Sequence, residues 1–200
     1  MRLVSSVETD VEAAFLSLIR PGYTVFDVGA NIGWFSLLAA RRAGPGGRVV
    51  AFEPVAANVA YLEANARTNG LRNIVTVPAA VADHDGTAAF ELASSLQGKL
   101  SDGGQASVPV VTLDSWLAAH DGWPPHVVKI DVEGAEERVL RGMRDILPAA
   151  RPSLIIELHG TNSVVADLLD DVGYRHSPLE VAEPTRDAPW WVHVLAVPSG

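Results

Sequence analysis

The chain has 200 residues, of which 48% are hydrophobic and 20% charged, with a formal net charge of −9 and no cysteine. These values exclude a disordered chain, a disulfide framework and a thiolate zinc site, and the acidic charge argues against a general binder of phosphate backbones. With no signal-peptide pattern and no apolar run long enough to span a membrane, residues 1–200 are predicted to form a single cytoplasmic domain.

The first part of the chain alternates helical and strand patterns. An N-terminal helix is predicted within residues 1–22, with capping-box spacing at Thr9 and Glu12 and an end at Pro21-Gly22. Three strands and two helices then alternate: strands at 23–28, 48–53 and 73–77, helices at 33–43 and 55–66.

The second part begins with residues 83–110, where frequent turn residues predict an irregular excursion, or alternatively a hairpin, that adds little to the core. Strands are then predicted at 107–113, 126–131 and 152–158, helices at 136–147 and 163–173, and two final strands within 173–180 and 189–198. This order predicts an α/β fold: a doubly wound, Rossmann-like sheet, mostly parallel, with an antiparallel strand pair at its C-terminal edge.

The stretch VFDVGANIGWF places Asp27, Gly29, Asn31 and Gly33 where the first strand becomes a helix. Glycines permit a tight turn and a close approach of ligand to backbone, although a plain tight turn is the alternative. The spacing differs from G-x-G-x-x-G, and the carboxylate of Asp27 would repel a pyrophosphate but suits an amine. Glu53 ends the second strand, where an acid can bind both ribose hydroxyls. These features together predict S-adenosylmethionine as ligand.

The motifs DVGANIG, FEP, TLD, KIDVEGAE and IIELH occur in the order typical of FkbM-type methyltransferases, which the chain resembles over about residues 8–160. The resemblance implies a class I methyltransferase fold, S-adenosylmethionine as donor, and a hydroxyl of a small molecule, such as a sugar or natural-product intermediate, as acceptor. It also implies adenine near Ala80 and Val81, and Asp131 beside the methionine part of the donor. The predicted donor site is Asp27, Gly29, Asn31, Gly33, Glu53, Pro54, Ala80, Val81 and Asp131.

Many members of that family have more chain before the glycine motif than this sequence has. The resemblance therefore predicts that the elements covering the acceptor are reduced or are supplied by a partner subunit. The sequence does not decide between a monomer and a homo-oligomer.

The catalytic residues predicted from the sequence are His159, Glu157 and Asp131. Strand alternation puts Lys129 and Asp131 on one side of the fourth sheet strand, where charges are costly unless paired or functional. An ion pair is favoured for Lys129, and a functional role is favoured for Asp131. Glu157 and His159 share one side of the next strand, so His159 is the first candidate for the base that deprotonates an acceptor hydroxyl, and Glu157 the second. A hydrogen-bonded structural histidine is the alternative.

Other sites and functions are alternatives to an O-methyltransferase with His159 or Glu157 as base. Asp131, Glu157 and His159 could supply ligands to a divalent ion, but no single element has tight ligand spacing, and no metal site is predicted. A nicotinamide-dependent oxidoreductase lacks its third glycine here, and a non-catalytic S-adenosylmethionine-binding module stays open, as does N-methylation. Nucleic acid and membrane partners are not expected. Trp190 and Trp191 are predicted to pack on the sheet rather than face the acceptor.

Overall fold

The computed structural model describes residues 6–92, 98–100, 103–104, 106–120 and 122–200. The central sheet has seven strands: β1 (Thr24–Val28), β2 (Arg48–Phe52), β3 (Ile74–Val77), β8 (Val127–Ile130), β9 (Ser153–His159), β10 (Tyr174–Pro178) and β11 (Trp191–Pro198). A second sheet contains β4 (Ala80–Val81), β5 (Gly86–Leu92), β6 (Gly98–Leu100) and β7 (Ala106–Val111). The helices are α1 (Ser6–Leu18), α2 (Trp34–Ala43), α3 (Ala56–Thr68), α4 (Leu113–Ala118), α5 (Glu136–Arg141), α6 (Ile146–Ala150) and α7 (Asn162–Asp171).

The central sheet runs in the order β10-β11-β9-β8-β1-β2-β3. The five strands from β9 to β3 pair in parallel, whereas β11 is antiparallel to both β9 and β10. The predicted doubly wound fold with an antiparallel pair at its C-terminal edge is therefore confirmed. Strand order reverses between β1 and β8, and in open α/β sheets ligands bind at the carboxyl ends of strands beside such a point.

Helices cover both faces of this sheet because its strands are apolar on both sides. On one face, α1 and α2 pack against Val25, Val49, Val127 and Ile155. We call this the α1 face. On the opposite face, α4, α5, α6 and α7 contribute to a larger cluster around Phe26, Phe52 and neighbouring sheet residues. None of the helices in the described residues is long and apolar enough to cross a membrane.

Residues 83–110 are more regular than an irregular excursion, and the antiparallel pair β5–β6 agrees with the alternative prediction of a hairpin. They hold β5, β6 and most of β7, which pair antiparallel, and β7 joins β4 in parallel. Buried and exposed residues alternate along β7, as expected for a strand with one face packed: Val108 and Val110 are buried, while Ser107 and Pro109 are exposed. With Phe90 they form a core of their own. Residues 93–97, 101–102 and 105 of the excursion lie outside the described residues.

Two helix predictions also need correction. The first helix begins at Ser6, so Thr9 lies within α1 and is not its N-cap. The helix predicted over 136–147 is two short helices, α5 and α6, separated by a turn. Asp114 stabilises the start of α6, because its carboxylate accepts hydrogen bonds of 3.0 Å from the backbone N–H groups of Asp145 and Ile146.

Candidate active site

A cavity opens at the carboxyl ends of β1, β2 and β8, next to the point where strand order reverses. Seven of the nine predicted donor-binding residues line it: Gly29, Asn31, Glu53, Pro54, Ala80, Val81 and Asp131. Phe90, Lys99 and Leu100 of the second sheet also line it, which the sequence did not suggest because the pairing of that sheet is not visible locally. Glu157 from β9 reaches the same cavity.

The turn after β1 depends on Gly29. Its φ of +81° lies in the left-handed region, and a Cβ there would stand 1.8 Å from the backbone oxygen of Asp131. The N–H groups of Gly29 and Ala30 both donate to the carbonyl of Phe52, at 3.0 Å. The turn is thus held between β2 and the chain that follows β8, and its backbone forms part of the cavity wall.

Glu53 is fixed by three hydrogen bonds at the edge of this cavity. Its Oε2 accepts from the backbone N–H of Asn31 at 2.9 Å, and its Oε1 accepts from the N–H of Val55 at 2.8 Å and from Nδ2 of Asn58 at 3.2 Å. Burial raises the pKa of Glu53, and these hydrogen bonds oppose that rise. The carboxylate therefore links the glycine turn to the start of α3.

Asp27 and Gly33, the other two predicted donor-site residues, are not among the residues that line the cavity. Asp27 is 1% exposed, and its Oδ2 accepts a 2.6 Å hydrogen bond from Ser36 Oγ. Its Oδ1 has no hydrogen-bond partner among the described residues. Burial raises the pKa of Asp27, while the charge of Lys129 opposes that rise.

The ion pair predicted for Lys129 is present. Its Nζ lies 3.0 Å from Oδ2 of Asp131 and 4.5 Å from the centre of the Phe35 ring, and the lysine side chain is 3% exposed. Burial raises the pKa of Asp131, but Lys129 outweighs this and keeps the pKa below its usual range. Asp131 therefore presents an ionised carboxylate to the cavity.

His159 is held by a buried carboxylate. Its Nδ1 lies 2.9 Å from Oε1 of Glu136, which is fully buried and also accepts from the N–H of Gly134 and Oγ1 of Thr161. Its Nε2 lies 3.6 Å from both Glu133 and Glu157. The bond to Glu136 raises the pKa of His159 to about 9. Both ring nitrogens of His159 therefore carry a proton at neutral pH, so neither has a free lone pair with which to accept another.

A second histidine, His193, joins this group and was missed from the sequence. Its Nε2 lies 3.2 Å from Oε2 of Glu157, and its Nδ1 lies 2.6 Å from Oε1 of Glu180. Burial lowers the pKa of His193, but the hydrogen bonds and charges of Glu157 and Glu180 outweigh it, and the pKa is raised. Only the antiparallel register of β9 and β11 reveals that His193 faces Glu157.

Asp131, Glu157 and His159 each offer one ligand atom, and these atoms lie within 4.8 Å of one another. The sequence offered no tight spacing because the three residues belong to two strands. They could surround a divalent ion, although Lys129 already pairs with Asp131 and a proton occupies His159 at neutral pH. The predicted absence of a metal site stays a prediction.

Trp190 and Trp191 are exposed, so the prediction that they pack on the sheet is wrong. Trp190 is 66% exposed and Trp191 49% exposed. The next apolar residues of β11, Val192 and Val194, are buried instead. The strand is anchored by those residues, which leaves both tryptophans outside the core at the edge of the candidate site.

Comparison with known proteins identifies a family and two relatives that each match 76% of the chain. The family model of the methyltransferase FkbM domain matches residues 27–176. The hexuronic acid methyltransferase AglP of Haloferax volcanii is 29% identical, over 76% of this chain and 62% of its own length. The 31-O-demethyl-FK506 methyltransferase FkbM of Streptomyces tacrolimicus is 30% identical, over 76% of this chain and 71% of its own. The chain thus spans less than two thirds of the archaeal relative.

Solved structures agree with the fold. A methyltransferase FkbM from Methylobacillus flagellatus superposes with a TM-score of 0.62 at 18% identity, covering 98% of this chain and 56% of its own. A Streptococcus mutans protein solved in complex with S-adenosylhomocysteine gives 0.58 at 8% identity, covering 98% of this chain and 99% of its own. At such identities the likeness concerns the fold alone.

Proposed function

The chain belongs to the methyltransferase FkbM family, and we propose that it transfers a methyl group from S-adenosylmethionine to a hydroxyl of a small molecule, such as a sugar or a natural-product intermediate. The observation that carries the proposal is the cavity beside the strand-order reversal, lined by the glycine turn, Glu53 and Asp131. The O-methyltransferase activity and the acceptor class also draw support from the names of the two relatives.

The chemistry of the cavity suits this donor. Its lining includes the carboxyl groups of Glu53, Asp131, Glu133 and Glu157, which favour a ligand with an ammonium and a sulfonium group and disfavour the pyrophosphate of a dinucleotide. Glu53 would bind the ribose hydroxyls, the apolar Ala80, Val81 and Phe90 would enclose the adenine, and Gly29, Asn31 and Asp131 would hold the methionine part. When bound, the donor supplies an electrophilic methyl group.

The protein's own part in the reaction is to position the acceptor and accept its proton. The acceptor oxygen gains the methyl carbon as the carbon–sulfur bond breaks, and its proton passes to a base. Glu157 lines the cavity, whereas His159 is protonated at neutral pH with a pKa of about 9. We therefore put Glu157 before His159 as the proton acceptor, which reverses the order that the sequence favoured.

Calorimetric titration of the purified protein with S-adenosylmethionine, S-adenosylhomocysteine and NAD tests the donor. We expect saturable binding of both adenosyl compounds and none of NAD. Glu53→Gln should weaken that binding by about ten- to a hundredfold, because a charge-assisted hydrogen bond is worth about 1.5–3 kcal/mol. Glu63→Gln, at an exposed position on α3, is the matched control and should bind normally. Binding of NAD alone would overturn the proposal in favour of redox chemistry.

A second experiment separates an enzyme from a non-catalytic binding module. The protein is incubated with methyl-labelled S-adenosylmethionine and a panel of sugars, amino sugars and polyketide alcohols, and the products are analysed by mass spectrometry. Label on an oxygen is the expected result, and label on a nitrogen would make the protein an N-methyltransferase. Donor binding with no labelled product from any compound of the panel would contradict an enzymatic role.

A further inference from the structure

An exposed tryptophan stands beside the proposed catalytic group. In the β9–β11 register, Trp191 pairs with His159 and His193 pairs with Glu157. Directly paired residues of antiparallel strands project from the same face of a sheet, with Cβ atoms about 5 Å apart. Trp191 therefore belongs to the α1 face. It lies next to His159 and projects from the same face as Glu157, which lines the cavity.

The exposure of Trp191 is not explained by the fold. The side chain is 49% exposed, whereas Val192 and Val194, which follow it, are 1% and 0% exposed and fix the strand. Trp190, the preceding residue, is 66% exposed, so two large aromatic residues adjacent in the chain are open to solvent here, and exposed apolar surface rimmed by polar groups is typical of a binding site. Through the β9–β11 register Trp191 lies beside His159, two residues along β9 from Glu157, which lines the cavity.

The surrounding chemistry selects a sugar. An aromatic ring face offers a flat apolar surface to the C–H groups on one side of a pyranose, and carboxylates beside it accept hydrogen bonds from the ring hydroxyls. The carboxylates of Glu157 and Glu133 lie within 3.6 Å of His159, the cross-strand partner of Trp191. We propose that Trp191 stacks against the acceptor and that this acceptor is a sugar ring without a carboxylate. This proposal rests on the proposed methyltransferase function.

Charge is the reason for excluding an acidic sugar. Asp131, Glu133 and Glu157 bring three carboxyl groups to this side of the cavity. Three cations on this side are already paired: Lys129 is buried against Asp131, and both His159 and His193 lie between carboxylates. Lys99 lines the cavity as well, but four carboxyl groups, those of Glu53, Asp131, Glu133 and Glu157, line it too and outweigh that single positive charge. A uronic acid, the acceptor named for the Haloferax relative, would meet repulsion here.

Saturation-transfer NMR in the presence of excess S-adenosylhomocysteine tests this proposal without knowledge of the natural acceptor. The probes are the methyl glycosides of glucose, galactose, mannose, rhamnose and N-acetylglucosamine, each hexose compared with its uronic acid where one exists. We expect saturation of the ring protons of at least one neutral glycoside and a signal at least fivefold weaker for the matching uronic acid.

Variants then assign the effect to the tryptophan. Trp191→Ala should reduce the affinity for that glycoside about fivefold, as expected for the loss of one stacking contact, while Trp191→Phe should keep most of it. Tyr61→Ala, an equally exposed aromatic on α3, is the control and should bind normally. Because Trp191 is half exposed, its replacement is expected to leave the thermal midpoint unchanged, which shows that the variant is folded.

Three results would overturn the proposal: no binding of any neutral glycoside, equal binding of the uronic acids, or unchanged binding by Trp191→Ala. If Trp191→Ala changes the oligomeric state in light scattering but not sugar binding, Trp191 belongs to a protein interface and the proposal falls. Calorimetry with S-adenosylhomocysteine is run on the same samples. If the parent protein binds S-adenosylhomocysteine but no sugar, only the proposed acceptor subsite is rejected. If it binds neither ligand, the proposed function itself is rejected.

Discussion

Single side chains at the carboxyl ends of the strands carry most of the candidate site. Glu53 accepts hydrogen bonds from the glycine turn and from α3, so its orientation is set before any ligand arrives. Glu157 lies between two histidines, each of which is held by a further carboxylate. Such preorganised groups need little rearrangement when substrate binds, which is a common source of catalytic rate.

Gly29→Ala should be the most damaging single change in the turn. The new Cβ would meet the backbone oxygen of Asp131 at 1.8 Å, and backbone cannot move aside cheaply. Gly22→Ala is the matched control, because its φ of +88° is similar but nothing lies within 4 Å of its Cβ. In urea unfolding, Gly22→Ala should cost about 1–2 kcal/mol, and Gly29→Ala clearly more. Equal costs would show that the contact with Asp131 is unimportant.

The protonation of His159 should depend on Glu136. Removing that charge while keeping the shape, in Glu136→Gln, should lower the pKa of His159 from about 9 towards its ordinary value of 6.5. Ring-proton chemical shifts of His159, followed by NMR between pH 5 and pH 10, report the change directly. A pKa that stays near 9 in Glu136→Gln would assign the shift to Glu157 and Glu133 instead.

At the scale of elements, contacts that are distant in sequence decide where helices begin. The apolar pattern of residues 136–147 fits one helix, but the carboxylate of Asp114, more than thirty residues earlier, accepts from the N–H groups where α6 starts. α4 has its own cap, since Oγ1 of Thr112 accepts from the N–H of Ser115 at 3.0 Å. The start of a short helix within a longer apolar pattern is thus specified by a side chain of another helix, α4.

Asp114→Ala should therefore destabilise the protein by about 1 kcal/mol or somewhat more, the usual cost of losing a cap. Two backbone N–H groups would lose their partner, and thermal or urea unfolding measures the loss. Glu183→Ala, at an exposed loop position, is the control and should have almost no effect. If the two variants were equally stable, the carboxylate of Asp114 would not be needed for α6.

At the scale of the whole molecule, the α1 face combines an apolar half and a charged half. α1 and α2 cover the apolar half, and towards the carboxyl ends of the strands the same face carries Asp131, Glu157, His159 and His193. The charged half couples the titration of histidines to folding, because their protonated forms are stabilised only when the strands are assembled.

Stability should consequently fall as the pH rises from neutral to mildly alkaline. The folded pKa of His159, about 9, lies above its ordinary value of 6.5, so the protonated form is bound more tightly by the folded state. Its contribution is complete below pH 6.5, declines between pH 6.5 and pH 9, and is absent above that range. Urea unfolding across this window should show the decline, and His159→Gln should reduce its slope. A parent protein with constant stability from pH 6.5 to pH 9 would contradict the protonated state of His159.

Local patterns predict the alternation of strands and helices, the sheet type and the position of the glycine turn, because hydrophobic period and glycine placement act over a few residues. They also place Asp131, Glu157 and His159 at one edge, since the carboxyl ends of parallel strands share an edge. Three features depend instead on contacts between distant segments: Asp27 is buried behind the cavity, His193 and Trp191 lie opposite Glu157 and His159 in the register of β11, and β4, β5, β6 and β7 form a second sheet. Register and burial depend on which distant segments meet, and local patterns do not contain that information.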